Sequence, residues 1–346
     1  MLTVAYGIAH FFVDFICAWA MFGSFLSGDG AYLNILVYNF CAFALQMPLG
    51  TLLDLARSKA GERLKDWLAL LWSGLGVVLT VVGAVTGPAL LGIGNALFHV
   101  GGGLDVTVLD FSKCRGGREL GVFVAPGAVG LYLGTQLGKT GSGYLTLVLA
   151  GAILAVLMCI LILNKRSASH PAAFSGEKGK TAKLPMLILC CFAVVILRSW
   201  TGFEASFDWK SGAVLGGLAV LATALGKAVG GFLAARFGPG KTVSVTLLLA
   251  AVCFLLGGEP VFGLAALLLF NMSMPVTLYL LAKHMPELMG FSFGLLTFGL
   301  FLGFLPVYAD LRLPVSPQII GAVGSVASAL LMLLAWKAVE HDRVSA

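Results

Sequence analysis

Charge is scarce in this sequence. Lys, Arg, Asp and Glu make up 11% of its 346 residues, where a soluble globular domain carries about a quarter. That scarcity excludes an ordinary water-soluble domain, and a hydrophobic content of 59% points to lipid instead. Metal and redox spacings are missing too. The seven cysteines (17, 41, 114, 159, 190, 191 and 253) make no CxxC and no Cys/His pattern. They read as small buried hydrophobes, and no disulfide frame, metal or other cofactor is expected beyond protons as a coupling ion. The N-terminus lacks a basic region and an AxA-like cleavage site, so its first apolar run is expected to be a retained helix rather than a signal peptide.

What is present is a succession of apolar runs with ionisable residues inside them. The first, residues 2–26, is long enough to cross a hydrocarbon core of about 30 Å. It nevertheless contains His10 and Asp14, whose spacing of four puts both on one helix face, one turn apart. Such groups in lipid cost several kcal/mol unless they face a polar cavity, and by default they mark a pathway for ions or solutes.

Hydropathy and loop punctuation predict twelve spans, at 2–26, 31–56, 66–87, 88–109, 119–138, 143–164, 184–206, 211–236, 241–257, 259–282, 287–309 and 314–337. With both termini placed in the cytoplasm, only Lys139, Lys210 and Arg312 fall outside and only Arg198 and Lys227 within spans; every other Lys and Arg lies inside. The positive-inside rule explains this bias, so the net charge of +6 is a topology signal and implies no nucleic-acid partner. The polar stretch 165–183 reads as a cytoplasmic linker between a six-helix half at 1–164 and another at 184–346. The halves share an echo: GTLLDLARSK follows span two and GGFLAARFGPGK follows span eight. Two related halves around a central site is a transporter architecture.

Several motifs carry a resemblance. Gly50 to Lys59, GTLLDLARSK, resembles the loop between the second and third helices of the major facilitator superfamily. Pro126-Gly127-Ala128-Val129-Gly130, with Gly134 and Gly138, resembles the glycine-rich fifth helix of that superfamily's exporters. Ordinary tight helix packing explains those glycines equally well. AHFFVD in span one, GIGNALFHVGG in span four, LRSW at 197–200 in span seven and MPVTLYLLAKHMP at 274–286 in span ten together resemble the fosmidomycin-resistance family of the superfamily. The resemblance covers nearly the whole chain. It implies an all-α membrane protein with twelve transmembrane helices in two pseudo-symmetric six-helix halves, the major facilitator fold. The sequence departs from the family pattern at Val100, at Gly101-Gly102-Gly103, at Ala235 where an acid is expected, and at Lys227 where an apolar residue or Gly is usual.

The resemblance makes helices one, four, seven and ten the cavity wall. At 1.5 Å per residue, Asp14 lies ~18 Å, His99 ~16 Å, Arg198 ~21 Å and Asn271 ~18 Å along their spans, all near mid-membrane. Asp14, His10 and His99 are the expected proton-coupling residues, since an imidazole titrates near neutral pH. Arg198, Asn271, Ser273 and Thr277, with Asp14 and His99, are the expected substrate contacts, and the guanidinium suits a carboxylate or phosphonate. Asp54, Arg57 and Asp105 are the expected gating residues. Plainer readings compete: His10 and Asp14 as a hydrogen-bonded helix pair, Arg198 neutralising an acid across the halves, and Lys227 snorkelling to the cytoplasmic side. The three glycines after His99 give span four room to bend.

The expected protein is a monomeric, multi-pass transporter of the plasma (inner) membrane, whose partners are the lipid bilayer and a small-molecule substrate. The favoured function is proton-coupled export of a small organic solute, anionic or drug-like, by alternating access. The alternatives are proton-coupled import of a small organic acid and, from other classes, a non-transporting receptor or scaffold or an intramembrane enzyme.

Overall fold

The computed structural model describes residues 1–167, 184–311 and 313–344. Most of the expected linker at 165–183, and Arg312, lie outside the described residues. Twelve apolar helices follow one another: α1 (Leu2–Phe25), α2 (Ala31–Lys59), α3 (Glu62–Thr86), α4 (Pro88–Ser112), α5 (Arg118–Lys139), α6 (Leu145–Lys165), α7 (Leu184–Glu204), α8 (Ala213–Phe237), α9 (Pro239–Leu255), α10 (Pro260–His284), α11 (Met289–Tyr308) and α12 (Pro317–Val339). Eleven are long and apolar enough to cross a membrane. The exception is α9, whose 17 residues reach only about 25 Å because Gly257-Gly258 and Pro260 end the run early. The chain is a multi-pass membrane protein.

Regular helix is interrupted in three of the spans. The end of α1 (Met21–Phe25) and the middle of α2 (Phe40–Ala44) are π-helical, and α10 breaks at Met272, just before Pro275. By contrast, α4 runs unbroken through Gly101-Gly102-Gly103. Successive helix positions point about 100° apart, and each glycine gives way to a different neighbour. A Cβ on Gly101 would meet Ala69 and Ser73, on Gly102 Tyr6 and Phe123, and on Gly103 Phe293. The triplet lets four helices, α3, α1, α5 and α11, approach α4 closely, and the helix continues through it without a break.

Helix contacts within 1–167 centre on α1 against α5 and α3 against α4. Within the later residues they centre on α9 and α7 against α12 and on α7 against α11. The two sets meet chiefly where α2 packs on α11 and α5 on α8. Gly130, Gly134 and Gly138 of α5 lie directly over the carbonyls of Phe11, Phe15 and Trp19 on α1. This stripe is a packing face against α1. Gly130→Ala is expected to drive a methyl into the Phe11 carbonyl and cost about 1–3 kcal/mol. The check is a lowered thermal midpoint in detergent, measured against Gly143→Ala, whose surroundings are open.

One end of the molecule carries the basic α2–α3 loop, and there the two sets are sealed. Gly50 and Gly290 let α2 and α11 touch backbone to backbone. The buried Asp54 carboxylate accepts the N–H of Gly290 at 3.0 Å and of Phe291 at 2.8 Å, capping the N-terminus of α11. Asp54, expected as a gating residue, thus caps a helix of the opposite set. Arg57 Nε donates to the Lys65 carbonyl at the start of α3, at 3.4 Å. The matching seal of α5 on α8 has no acid from α8. Ala235 lies against Gly116, while the N-terminus of α5 is capped by Asp110 of α4, which accepts from Gly117 N at 2.8 Å and Glu119 N at 2.7 Å. An acid at 235 would find those donors already taken.

Asp105 joins neither seal. Its carboxylate accepts Lys165 Nζ at 2.7 Å and Tyr6 Oη at 2.8 Å, tying α4 to α6 and α1 inside one set. At the opposite end, the Tyr32 and Tyr308 rings stack at 4.1 Å, and each hydroxyl donates to the other's carbonyl, at 3.2 and 3.1 Å.

Candidate functional site

Between the two sets lies a cavity of about 540 Å³. Of the residues expected there, His10, Asp14, His99, Arg198 and Asn271 line it. Ser273 and Thr277 do not. Both are buried, and their hydroxyls donate to the Phe270 and Met274 carbonyls of their own helix. The break at Met272 changes the helical phase, and hydroxyls in an apolar helix satisfy themselves on the preceding turn.

His10, Asp14 and His99 form one tight cluster. His10 Nε2 is 3.1 Å from Asp14 Oδ2 and 2.8 Å from His99 Nε2, and His99 Nε2 is 3.6 Å from Asp14 Oδ1. Their proton inventory is set by the other ring nitrogens. His10 Nδ1 donates to the Phe123 carbonyl and His99 Nδ1 to the Asn95 carbonyl, each at 2.8 Å. A carbonyl only accepts, so both Nδ1 atoms carry hydrogen. The two Nε2 atoms then face each other at 2.8 Å with a lone pair apiece, a geometry that suits one shared proton. A proton held there would make the pair an imidazolium, with Asp14 beside it as the counter-ion. Asn95 Nδ2 fixes that carboxylate by donating to Oδ1 at 3.0 Å. Gly127 of α5 supplies the room, since a Cβ there would collide with both His10 Nε2 and Asp14 Oδ2.

By donor type the same three residues could hold a transition-metal ion. Two nitrogens on a tetrahedral ion lie about 3.3 Å apart, given bonds of about 2.0–2.1 Å. The 2.8 Å contact is a hydrogen-bond distance, and a proton fits it better.

Facing the cluster, the cavity wall is cationic. Arg198 of α7 is buried, and its Nη1 has no hydrogen-bond partner. Among the described residues no carboxylate pairs with it, so the neutralising acid expected across the halves is not found. Lys227 does not snorkel away. It lines the same cavity, near enough to Arg198 and Asp14 to interact with both charges. Its backbone lies in the α5–α8 contact beside Gly121, which leaves the side chain to turn inward. Outside the spans, burial pushes Lys210 down to about 8, its Nζ donating to the Ala205 carbonyl at 2.7 Å.

Hydropathy and spacing do not point to Tyr38 and Gln46 on the cavity wall or to Asn95 behind it. Asn95 was findable, lying four residues before His99 on the same helix face. Gln46 lies just past the π-helical segment of α2, whose extra residue shifts the phase of the residues downstream. The sequence also spells GFSFG at 290–294, the GxSxG spacing of serine hydrolases. Ser292 sits inside α11 with its hydroxyl on the Leu288 carbonyl, at no strand-to-helix elbow.

No protein-family model and no curated protein matches this sequence. Solved structures do match its fold. A variant of the Escherichia coli fucose:proton symporter FucP aligns at a TM-score of 0.64 and 14% identity, over 97% of this chain and 96% of that one. The human organic anion transporter MFSD10 aligns at 0.64 and 17% identity, over 96% and 98%. A bacterial homologue of the iron transporter ferroportin, in an outward-facing state, aligns at 0.59 and 13%, over 98% and 100%. The chain has the major facilitator fold.

Proposed function

We propose that this protein is a secondary transporter that moves a small organic anion together with a proton by alternating access. One observation carries the reading: a His10–His99 pair in contact through Nε2 atoms and an Arg198 whose Nη1 has no partner line the same cavity from opposite sets of helices. Charge decides the coupling. With the shared proton present, Asp14 offsets it, and Arg198 and Lys227 remain to attract an anion. Once the proton leaves, Asp14 offsets one of those two cations instead. Anion and proton therefore strengthen each other's binding, and linkage makes the effect reciprocal. Mutual strengthening is the signature of symport. Antiport would need the two to compete, so the cavity favours the import alternative over export.

The resemblance to the fosmidomycin-resistance family agrees with a central anionic group on the substrate. A fucose:proton symporter and an organic anion transporter share the fold. At these identities they support the fold alone, and the charge on the cavity wall carries the rest. With the N-terminus in the cytoplasm, the end sealed by Asp54 is the inner one, and the cavity belongs to a state closed to the cytoplasm.

The test is uptake of labelled phenylphosphonate and benzenesulfonate, which stay charged and cross lipid poorly, into proteoliposomes under imposed pH gradients of either sign. Symport predicts accumulation when the outside is acid, with protons entering alongside. Accumulation driven by an acid interior, or uptake indifferent to the gradient, overturns the reading.

A further inference from the structure

Two buried polar atoms in residues of the cavity wall lack partners, and they are complementary in kind: Arg198 Nη1 is a donor and Gln46 Oε1 an acceptor. The amide of Gln46 is not free to reverse. Its Nε2 donates to the Ala42 carbonyl at 2.6 Å, and a carbonyl accepts only a donor, so Oε1 is left as the unpaired end. The side chain is almost wholly buried, at 1% exposure. Ala42 belongs to the π-helical segment Phe40–Ala44, so the irregular turn of α2 holds the amide in place. Buried polar groups of this sort are nearly always paired, and each exception calls for a partner.

We infer that the transported solute carries, besides its anionic group, an O–H or N–H donor that Gln46 Oε1 accepts while Arg198 holds the anion. This rests on the cavity being the substrate site, as proposed above. It narrows the substrate class from organic anions to hydroxy- or amino-substituted organic acids. Gln46 lies on α2 and Arg198 on α7, so such a solute bridges the two sets of helices. A solute lacking the donor leaves Gln46 Oε1 buried and unpaired, which costs about tenfold or more in affinity.

The experiment is calorimetric titration of the full-length protein with matched acids. The pairs are a chain-length series of ω-hydroxyalkanoates against the alkanoates of equal length, and 4-hydroxybenzenesulfonate against benzenesulfonate. Wild-type protein is expected to bind at least one hydroxylated member about tenfold or more tightly than its parent. Gln46→Leu and Gln46→Met should bring that ratio to about one without weakening the parent acid, and Arg198→Gln should weaken both members alike. The wild-type comparison needs no variant to fold. Equal binding of every pair by wild-type protein overturns the inference and leaves the anion site standing. So does a Gln46 variant that weakens both members equally, which would mean that Gln46 serves the protein and not the solute. Failure of any acid to bind overturns the anion site and this inference together.

Discussion

Arg198→Gln is expected to reduce anion affinity by about 100-fold, close to 3 kcal/mol, while leaving the protein folded. The guanidinium is buried with a free donor and no carboxylate beside it among the described residues, so its removal breaks no internal ion pair. That separates it from most buried arginines, where truncation strands a partner charge and costs stability. Equilibrium binding of phenylphosphonate and a thermal midpoint, measured on the same preparation, read the two effects apart. Lost affinity with an unchanged or raised midpoint is the expected pair of results. A fall in the midpoint with affinity intact would make Arg198 structural.

The second large effect concerns the proton. In wild-type protein the affinity for benzenesulfonate, whose own charge does not change with pH, should rise as pH is lowered and the histidine pair is loaded. The rise should be of the order found for coupled sites, about 5- to 150-fold. The charge sets the sign: the proton adds a positive group to the cavity wall, so the loaded form binds the anion better. Joint replacement of His10 and His99 by glutamine should flatten that dependence. It should also abolish uptake driven by an acid exterior while sparing exchange of anion for anion, which needs no net proton movement. Replacing both matters, because either histidine alone still has Asp14 as a counter-ion at 3.1 or 3.6 Å. A persistent pH dependence in the double variant would move the carried proton elsewhere, with Asp14 the next residue to test.

The spans are legible in the sequence because a bilayer needs long apolar runs, and these read directly from hydropathy. The charged centre is legible for the same reason, since His10, Asp14, His99 and Arg198 stand out against lipid-facing sequence. What stays hidden depends on helical phase. Ser273 and Thr277 sit at the right depth in α10, but the break at Met272 and their bonds to backbone carbonyls take them off the cavity wall. Gln46 and Tyr38 join the wall on either side of a π-helical segment that hydropathy does not register. By position alone, Lys227 in the inner part of α8 could reach water. Only the packing of α8 on α5 turns it inward. The glycine stripe of α5 suits an exporter motif or plain packing equally as a sequence, and the structure adds that it seats on the α1 carbonyls.

Asp14, His10 and His99 are expected together as proton-coupling residues, and the structure does bring the three into contact. In the proposed mechanism the two Nδ1 bonds to carbonyls make the histidine pair the seat of the proton and Asp14 its counter-ion.

The unequal capping at the basic end has a mechanical consequence. Separating α2 from α11 there strips the N-terminus of α11 of its carboxylate, because Asp54 leaves with α2. Separating α5 from α8 strips nothing, because Asp110 travels with the helix it caps. The two seams are thus a bolt and a hinge. Opening this end on the α2 side therefore uncaps α11, whereas opening it on the α5 side leaves every cap in place, so the end is built to part along one edge.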